Sequence, residues 1–425
     1  MAARGKQAAA KTGDGPLAGY RVLELGSTIA GPFCARLMAD FGAEVIKIEP
    51  REGDPVRSAA KRFQGKSLYA ASLMRNKELI SIDLRRPEGQ DLVRRLVASC
   101  DVVVENFRPG GLEKWGLGYE DLAKIRPDLV MVRVSGFGQT GPASSRPGYG
   151  IICEAAGGLR HLTGDPDRPP ARVAVGLTDY ITGTYAAFGA MMALLHRERT
   201  GEGQYVDAAL AEGALSLLEA HIPAYDKLKH VANRTGSGLV GSVPNNLYAT
   251  QDGQWIHIQA AQNPVFRRLA PAMGMPELLD DPRFDTAIAR GQNQAACDAL
   301  VGRWAASHTM ADLQAKLDAA DVPASGINTV ADIFGDAHFR ARDMLVEVPD
   351  DELGSVTLAG IVPKLSRTPG RLRKAGGRVG QHTRAVLERL AGLDAAAIAA
   401  LEAAGVILCD DGAAPGKAAG PPATP

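Results

Sequence analysis

The sequence predicts an α/β protein: a largely parallel, twisted sheet with helices on both faces, joined to a smaller α+β domain. Three observations predict it. Apolar strand-like runs alternate with helical periodicities through the first half of the chain, as crossover βαβ units require. Of 425 residues, 45% are hydrophobic and 23% charged, enough apolar material for a sizeable core. Near Lys227 the texture changes, and a glycine-rich connection leads to Asp252-Gly253, the strongest hairpin signal in the chain.

The elements follow in order. Tyr20–Leu25 alternates like a strand, Gly31–Gly42 reads as a helix with Pro32 first and Phe33, Leu37 and Phe41 on one face, and Glu44–Glu49 is the next strand. Leu79–Leu84 (strand), Glu88–Ser99 (helix), Asp101–Glu105 (strand), Tyr119–Ile125 (helix) and Leu129–Ser135 (strand) continue the alternation. A long helix is expected over Tyr180–Glu198, with Asp179 as its first residue or N-cap, then a strand at Gln204–Asp207 and a helix over Ala208–Ala220. Strands at Leu247–Thr250 and Trp255–Ala260, with helices at Pro264–Ala272 and Met310–Asp318, make the small unit. Strand-like text returns at Met344–Val348 and Val356–Ala359, and helices at Thr383–Leu390 and Asp394–Ala404 close the chain. The domain boundaries read as follows: 1–16 a disordered tail, 17–226 the first part of a large Rossmann-like domain, 227–338 linker and small domain, 339–408 a return to the large domain, and 409–425 a second disordered tail.

Composition excludes several functions. The 48 Lys and Arg balance 48 Asp and Glu, so the positive field that a nucleic-acid or anionic-membrane binder needs is missing. Cys34, Cys100, Cys153, Cys297 and Cys409 are scattered and fit neither a disulfide framework nor a zinc knuckle. Met1–Gly15 has no apolar secretory segment, and Ala186–Leu195 falls far short of the roughly 20 residues that span a bilayer. A cytoplasmic, reducing location is expected.

Several motifs fail on inspection. Leu25-Gly-Ser-Thr-Ile-Ala-Gly-Pro32 is not a dinucleotide fingerprint, and Gly65-Lys66-Ser67 lacks the earlier glycine of a P-loop, Ala60 standing there instead. The eight histidines lack metal-ligand spacing and no Gly-x-Ser-x-Gly elbow occurs, so no metal site is expected. Asp179 differs: an apolar run, Val173-Ala-Val-Gly-Leu177, leads into it at the start of a long apolar helix. The helix N-terminus would keep a partly buried carboxylate there ionised, and such a group can attack an activated acyl carbon. By spacing alone, an ordinary helix-capping aspartate is the simpler reading.

Taken together, the segments resemble the class III CoA-transferases, the family of formyl-CoA transferase and L-carnitine CoA-transferase. The resemblance spans roughly Leu17–Ile407 and rests on Ala30-Gly-Pro-Phe33, Gly42–Glu49, Asn76-Lys77, Asp83-Leu84, Val104-Glu-Asn-Phe-Arg-Pro-Gly110, Ser135-Gly-Phe-Gly138, Arg146-Pro-Gly-Tyr149, Asp179 and Thr200-Gly-Glu-Gly-Gln204. It implies transfer of CoA from an acyl-CoA, with succinyl-CoA the favoured donor, to a small carboxylic or dicarboxylic acid. Asp179 would form an acyl anhydride and then a CoA thioester. Coenzyme A would be substrate, with no permanently bound cofactor, and the fold would be an interlocked homodimer.

The resemblance places Ile29, Ala30, Asp83, Arg85, Asn106, Phe107, Lys114 and Tyr149 at the substrate and CoA. It makes the glycine loop, Gly236, Ser237, Gly238 and Gly241, a shield against water; by turn chemistry a purely structural interdomain linker is the rival reading. Two positions depart from formyl-CoA transferase: Ile29 replaces its glutamine, pointing away from oxalate or formate, and Lys114 replaces a guanidinium at the CoA. The same fold hosts α-methylacyl-CoA racemases, the alternative reading. They carry a histidine where Tyr149 stands, and tyrosine, with an ordinary pKa near 10, is a poor base at neutral pH.

Overall fold

The computed structural model describes residues 15–410 and 412. The expected disordered tails, 1–16 and 409–425, fall outside the described residues except at 15, 16, 409, 410 and 412. Two compact units emerge. One holds the residues up to Gly158, Val175–Glu219 and those from Ala341 onward; the other holds Leu159–Ala174 and Ala220–Arg340.

The larger unit is organised by six parallel strands: β1 (Arg21–Glu24), β2 (Glu44–Glu49), β3 (Glu78–Ile82), β4 (Val102–Glu105), β5 (Val130–Ser135) and β6 (Gln204–Ala209). They lie side by side in the order β3-β2-β1-β4-β5-β6, and a short β7 (Ile407–Leu408) adds antiparallel to β3. That order is the doubly wound arrangement in which strand order reverses between the first and fourth strands.

Strand residues alternate between two cores, as a sheet covered on both faces demands. Leu23, Ile46, Ile80, Val103 and Met131 face one, closed by helix α1 (Pro87–Val97) and Thr383–Ala391. Val22, Val45, Val102, Val130 and Val132 face the other, beneath helices α2 (Ala30–Asp40) and α3 (Leu177–Thr200). Helix α3 approaches α2 closely because it turns small residues inward: Ala186, Ala190 and Ala193 are buried, and a Cβ on Gly183 would lie 2.8 Å from the Ala30 carbonyl oxygen.

The sequence placed a helix over Ala208–Ala220; the structure corrects it. Ala208 and Ala209 pair with Val134 and Ser135, extending β6, and two short helices, Leu210–Leu215 and His221–Leu228, follow. Ladder pairing decides the issue, since alanine's high helix propensity is worth only a few tenths of a kcal/mol per residue over its competitors.

The second unit is α+β. Asn245–Ala249, Trp255–Gln259 and Ala324–Gly326 form an antiparallel sheet, with Gly253 in the left-handed region at the hairpin turn. Helices Asn263–Ala272, Gln294–Ala306 and Met310–Ala319 pack on it around Ile256, Ile258, Phe266 and Trp304. No helix among the described residues is long and apolar enough to cross a membrane.

Candidate active site

In a doubly wound sheet, ligands bind beyond the carboxyl ends of the strands where their order reverses, because the connecting loops diverge there to opposite faces. Here that point lies between β1 and β4. A cavity of about 200 Å³ opens at it, lined by Ser27–Ala30 after β1, Asn106–Pro109 after β4, Val134–Gly136, the loop 146–149, Leu210 and Asp179.

The loops are held from below. Asn106 Oδ1 accepts the Ser27 N–H, and its Nδ2 donates to the Ser27 carbonyl, both at 2.8 Å, so the amide staples the two loops across the switch point. Thr28 sits at φ +68°, a left-handed conformation costly for a β-branched residue, and its N–H donates to the Asp54 carboxylate at 3.1 Å. Asp54 pairs with Lys47 at 2.9 Å, and Lys47 also donates to Glu24 at 2.9 Å and the Gly26 carbonyl at 2.7 Å. Lys77 completes the cluster, donating to Glu24 at 2.6 Å and the Pro32 carbonyl at 2.7 Å. Glu24, Lys47, Asp54 and Lys77 are all buried, so removing one partner would strand an uncompensated charge, typically ~3–5 kcal/mol. The cluster therefore fixes the backbone that presents Ile29 and Ala30.

Asp179 reaches the cavity from the first turn of α3. The helix begins at Leu177, three residues before Tyr180, with Gly176 as N-cap, so Asp179 stands at its third position and not at the cap. The helix-capping reading is thereby removed. Its carboxylate rests against backbone with no Cβ between: one built on Gly150 would lie 2.0 Å from Asp179 Oδ2, and one on Gly176 3.1 Å away. Burial pushes the Asp179 carboxyl up to about 6, opposed only by its own N–H. Among the described residues no side-chain donor relieves it, and at neutral pH it is mostly the free anion. A desolvated, unpaired carboxylate at a strand-end cavity has the reactivity of an acyl nucleophile.

The other expected residues fall into three places. Ile29, Ala30, Asn106, Phe107 and Tyr149 line the Asp179 cavity, Tyr149 with 72% of its surface exposed. Asp83 and Arg85 line a neighbouring cavity of about 290 Å³, and Ser27 and Phe107 line both. Arg85 is engaged by Asp83 through two hydrogen bonds of 2.8 and 3.0 Å, so contact with a phosphate requires it to swing away. Lys114 is exposed on a 3₁₀ turn, Glu113–Trp115, and lines neither cavity.

The glycine loop belongs to the second unit. Gly236 and Gly241 are left-handed there, Thr235 Oγ1 donates to the Gly238 carbonyl at 2.6 Å, and Ser237 Oγ donates to Asn246 Oδ1 at 2.8 Å. Among the described residues no group of three or more His, Cys, Asp or Glu could hold a metal ion. Sequence reasoning missed Gly150 and Gly176, the Glu24–Lys47–Lys77–Asp54 cluster, and the arginines Arg108 and Arg146 at the cavity.

A family model described as CoA-transferase family III matches residues 17–383. The chain is 49% identical over 394 residues to "Succinyl-CoA--D-citramalate CoA-transferase" of Chloroflexus aurantiacus, covering 92% of this chain and 98% of that protein. It is 36% identical to "Succinyl-CoA:glutarate CoA-transferase" of Mus musculus, over 92% of this chain and 90% of the relative. A crystal structure of a CAIB/BAIF family protein from Brucella suis superposes with a TM-score of 0.79 at 36% identity, covering 88% of this chain and 99% of the other.

Proposed function

Because the chain belongs to CoA-transferase family III, we propose that it moves CoA from succinyl-CoA to a small dicarboxylic or hydroxydicarboxylic acid, with Asp179 as the nucleophile. The observation that carries the chemistry is the desolvated Asp179 carboxylate, unpaired by any described side chain, at the strand-order switch. The donor and acceptor class rest on what the relatives are named for.

An Asp179 oxygen attacks the thioester carbon; the C–S bond breaks and CoA leaves as thiolate, giving a succinyl–aspartyl anhydride. The thiolate then attacks the aspartyl carbonyl of that anhydride, releasing succinate and leaving Asp179 as the CoA thioester. An acceptor carboxylate attacks this thioester and expels the thiolate, which attacks the acceptor's carbonyl in the new anhydride. Acyl-CoA departs and the Asp179 carboxylate is restored, with no net change in protons or electrons. Anhydride and thioester both react with water, so yield depends on its exclusion. The direct check is chromatography of succinyl-CoA mixed with a panel of carboxylic acids. A new acyl-CoA in equal amount to free succinate is expected; succinate and free CoA alone would indicate a hydrolase.

The carboxylate is the attacking form, so a pH profile follows. Since burial raises the Asp179 pKa to about 6, kcat/KM for the donor should be level above pH 6 and fall about tenfold per unit below it. Cys153 is pushed up to about 11, by burial and then by Asp179, and Tyr69 is raised by burial and then by its hydrogen bond to Tyr180, so neither titrates in this window. A level profile down to pH 4.5 would remove Asp179 as the base-form nucleophile.

The homodimer is part of the same proposal. Tyr185, Phe188, Met192 and Leu195 lie exposed along α3, Phe188 at 61%, and Ile222, Tyr225 and Leu228 lie exposed on His221–Leu228. Apolar rows of that length are seldom left to water. Sedimentation should give twice the chain mass, persisting on dilution if the chains interlock; a monomer would refute the dimer. A cytoplasmic location is proposed from the five free thiols, which fractionation would check.

A further inference from the structure

Two exposed arginines, Arg108 and Arg146, line the Asp179 cavity. Elsewhere in this unit arginines lie on carboxylates: Arg85 on Asp83, Arg133 on Glu105, Arg57 on Glu49 and Arg75 on Asp40. Neither cavity arginine has such a partner among the described residues. Nor does either offset the burial of Asp179, whose pKa is set by desolvation and its own N–H. Their charge is free for something that enters the cavity.

The pair is not equivalent. Arg108 follows Phe107, which lines both this cavity and the one bordered by Asp83 and Arg85. Arg146 is in the loop that leads to Tyr149 and to Gly150, the residue against which the Asp179 carboxylate rests. Its guanidinium stacks on the Phe137 ring at 4.8 Å, and the loop is seated against that ring: a Cβ on Gly148 would lie 3.3 Å from Phe137 Cε2 and 2.8 Å from Gly136 Cα. A stacked guanidinium has lost freedom in advance and keeps its edge N–H groups for a planar anion.

The cavity's size and charge narrow the occupant. At about 200 Å³ the cavity is of a size to take a short acyl group. A dicarboxylic acyl group brings a second negative charge into a space that already holds the Asp179 anion, and a fixed cation is what makes this tolerable.

We propose that Arg146 binds the distal carboxylate of a short dicarboxylic acyl group, first the donor's and then the acceptor's, and so determines the enzyme's selectivity for dicarboxylic over monocarboxylic substrates. The proposal rests on the transferase reading above and adds to it the residue that reads the acyl end.

The test compares kcat/KM for succinyl-CoA and butyryl-CoA, which differ in a terminal carboxylate against a methyl group, with one acceptor. Arg146→Met should lower the succinyl-CoA value about 100-fold and the butyryl-CoA value no more than about threefold, collapsing the ratio. Arg146→Lys should recover part of it, since a point charge replaces the fork. Arg108→Met, next to Phe107, which lines both cavities, should weaken both thioesters alike. Equal losses on both thioesters in Arg146→Met, or no loss on either, would overturn the proposal. Equilibrium binding of the two thioesters to Asp179→Asn, with and without Arg146→Met, gives the same comparison without turnover. A binding preference that depends on Arg146, in a wild-type protein that transfers nothing, would sink the transferase reading alone. Transfer by the wild type with an unchanged ratio in Arg146→Met would sink the Arg146 proposal alone.

Discussion

Asp179→Asn should lower CoA transfer by at least ~10³-fold and, at the same time, raise thermal stability. The first effect follows from removing the only group proposed to form the covalent intermediates. The second follows from its environment. In the folded chain burial holds the Asp179 carboxyl near 6, whereas an unfolded aspartate titrates near 4. Below pH 4 both states are protonated and the site costs nothing. As pH rises through the interval from about 4 to about 6, the unfolded chain ionises first and folding is progressively disfavoured. Above 6 the full penalty is present, up to about 3 kcal/mol at 1.36 kcal/mol per unit. A neutral amide of the same shape removes it, and the melting midpoint at pH 7.5 should rise by a few degrees, with little difference at pH 4. A variant that is both inactive and less stable would show instead that Asp179 serves the fold.

Gly150→Ala should reduce kcat/KM by about 10²-fold while leaving the fold intact. The added methyl would lie 2.0 Å from Asp179 Oδ2 and 2.7 Å from its Cγ, far inside contact distance, so the carboxylate must leave its position. A displacement of about 1 Å of a reacting group commonly costs that factor. Gly150 opens the helix Gly150–Ala156 with an ordinary φ, where alanine is up to ~1 kcal/mol better than glycine, so the substitution should not unfold the chain. Circular dichroism and the melting midpoint separate the two effects. Full activity in Gly150→Ala would mean that the observed carboxylate position is not the reacting one.

The features legible in the sequence were those with a local signature. Glu44–Glu49 and Tyr119–Ile125 have the boundaries that periodicity gives, because each is one uninterrupted pattern closed by turn residues. The strand order is not local: β1 pairs β4 across 80 residues, and no periodicity encodes that. Asp179 was visible as a carboxylate at a helix start, yet Leu177 and Thr178 fit either an apolar run or a first turn, so the helix start was set too late.

Asn106 was visible as part of a motif assigned to substrate. The structure shows its amide occupied by Ser27, an arrangement that a residue 79 positions away cannot announce. The same limit hid the pairing of Glu24 with Lys47 and Lys77, which stand 23 and 53 residues from it and are buried together. It hid Gly150 too, whose missing side chain matters only because Asp179 folds against it. The helix Gln294–Ala306 is hidden for a different reason: its buried face, Cys297, Val301, Trp304 and Ala305, is set among alanines that blur the amphipathic stripe.

The most direct test of the central claim is intact-protein mass spectrometry of the enzyme mixed with succinyl-CoA in the absence of acceptor, with hydroxylamine or borohydride trapping and peptide mapping. The account predicts a CoA thioester on the protein, released succinate, and a trapped modification on Asp179 that Asp179→Asn lacks. No adduct with any of several acyl-CoA donors, together with exchange of the α-proton in deuterated water, would contradict it and indicate acid–base chemistry at the α-carbon instead.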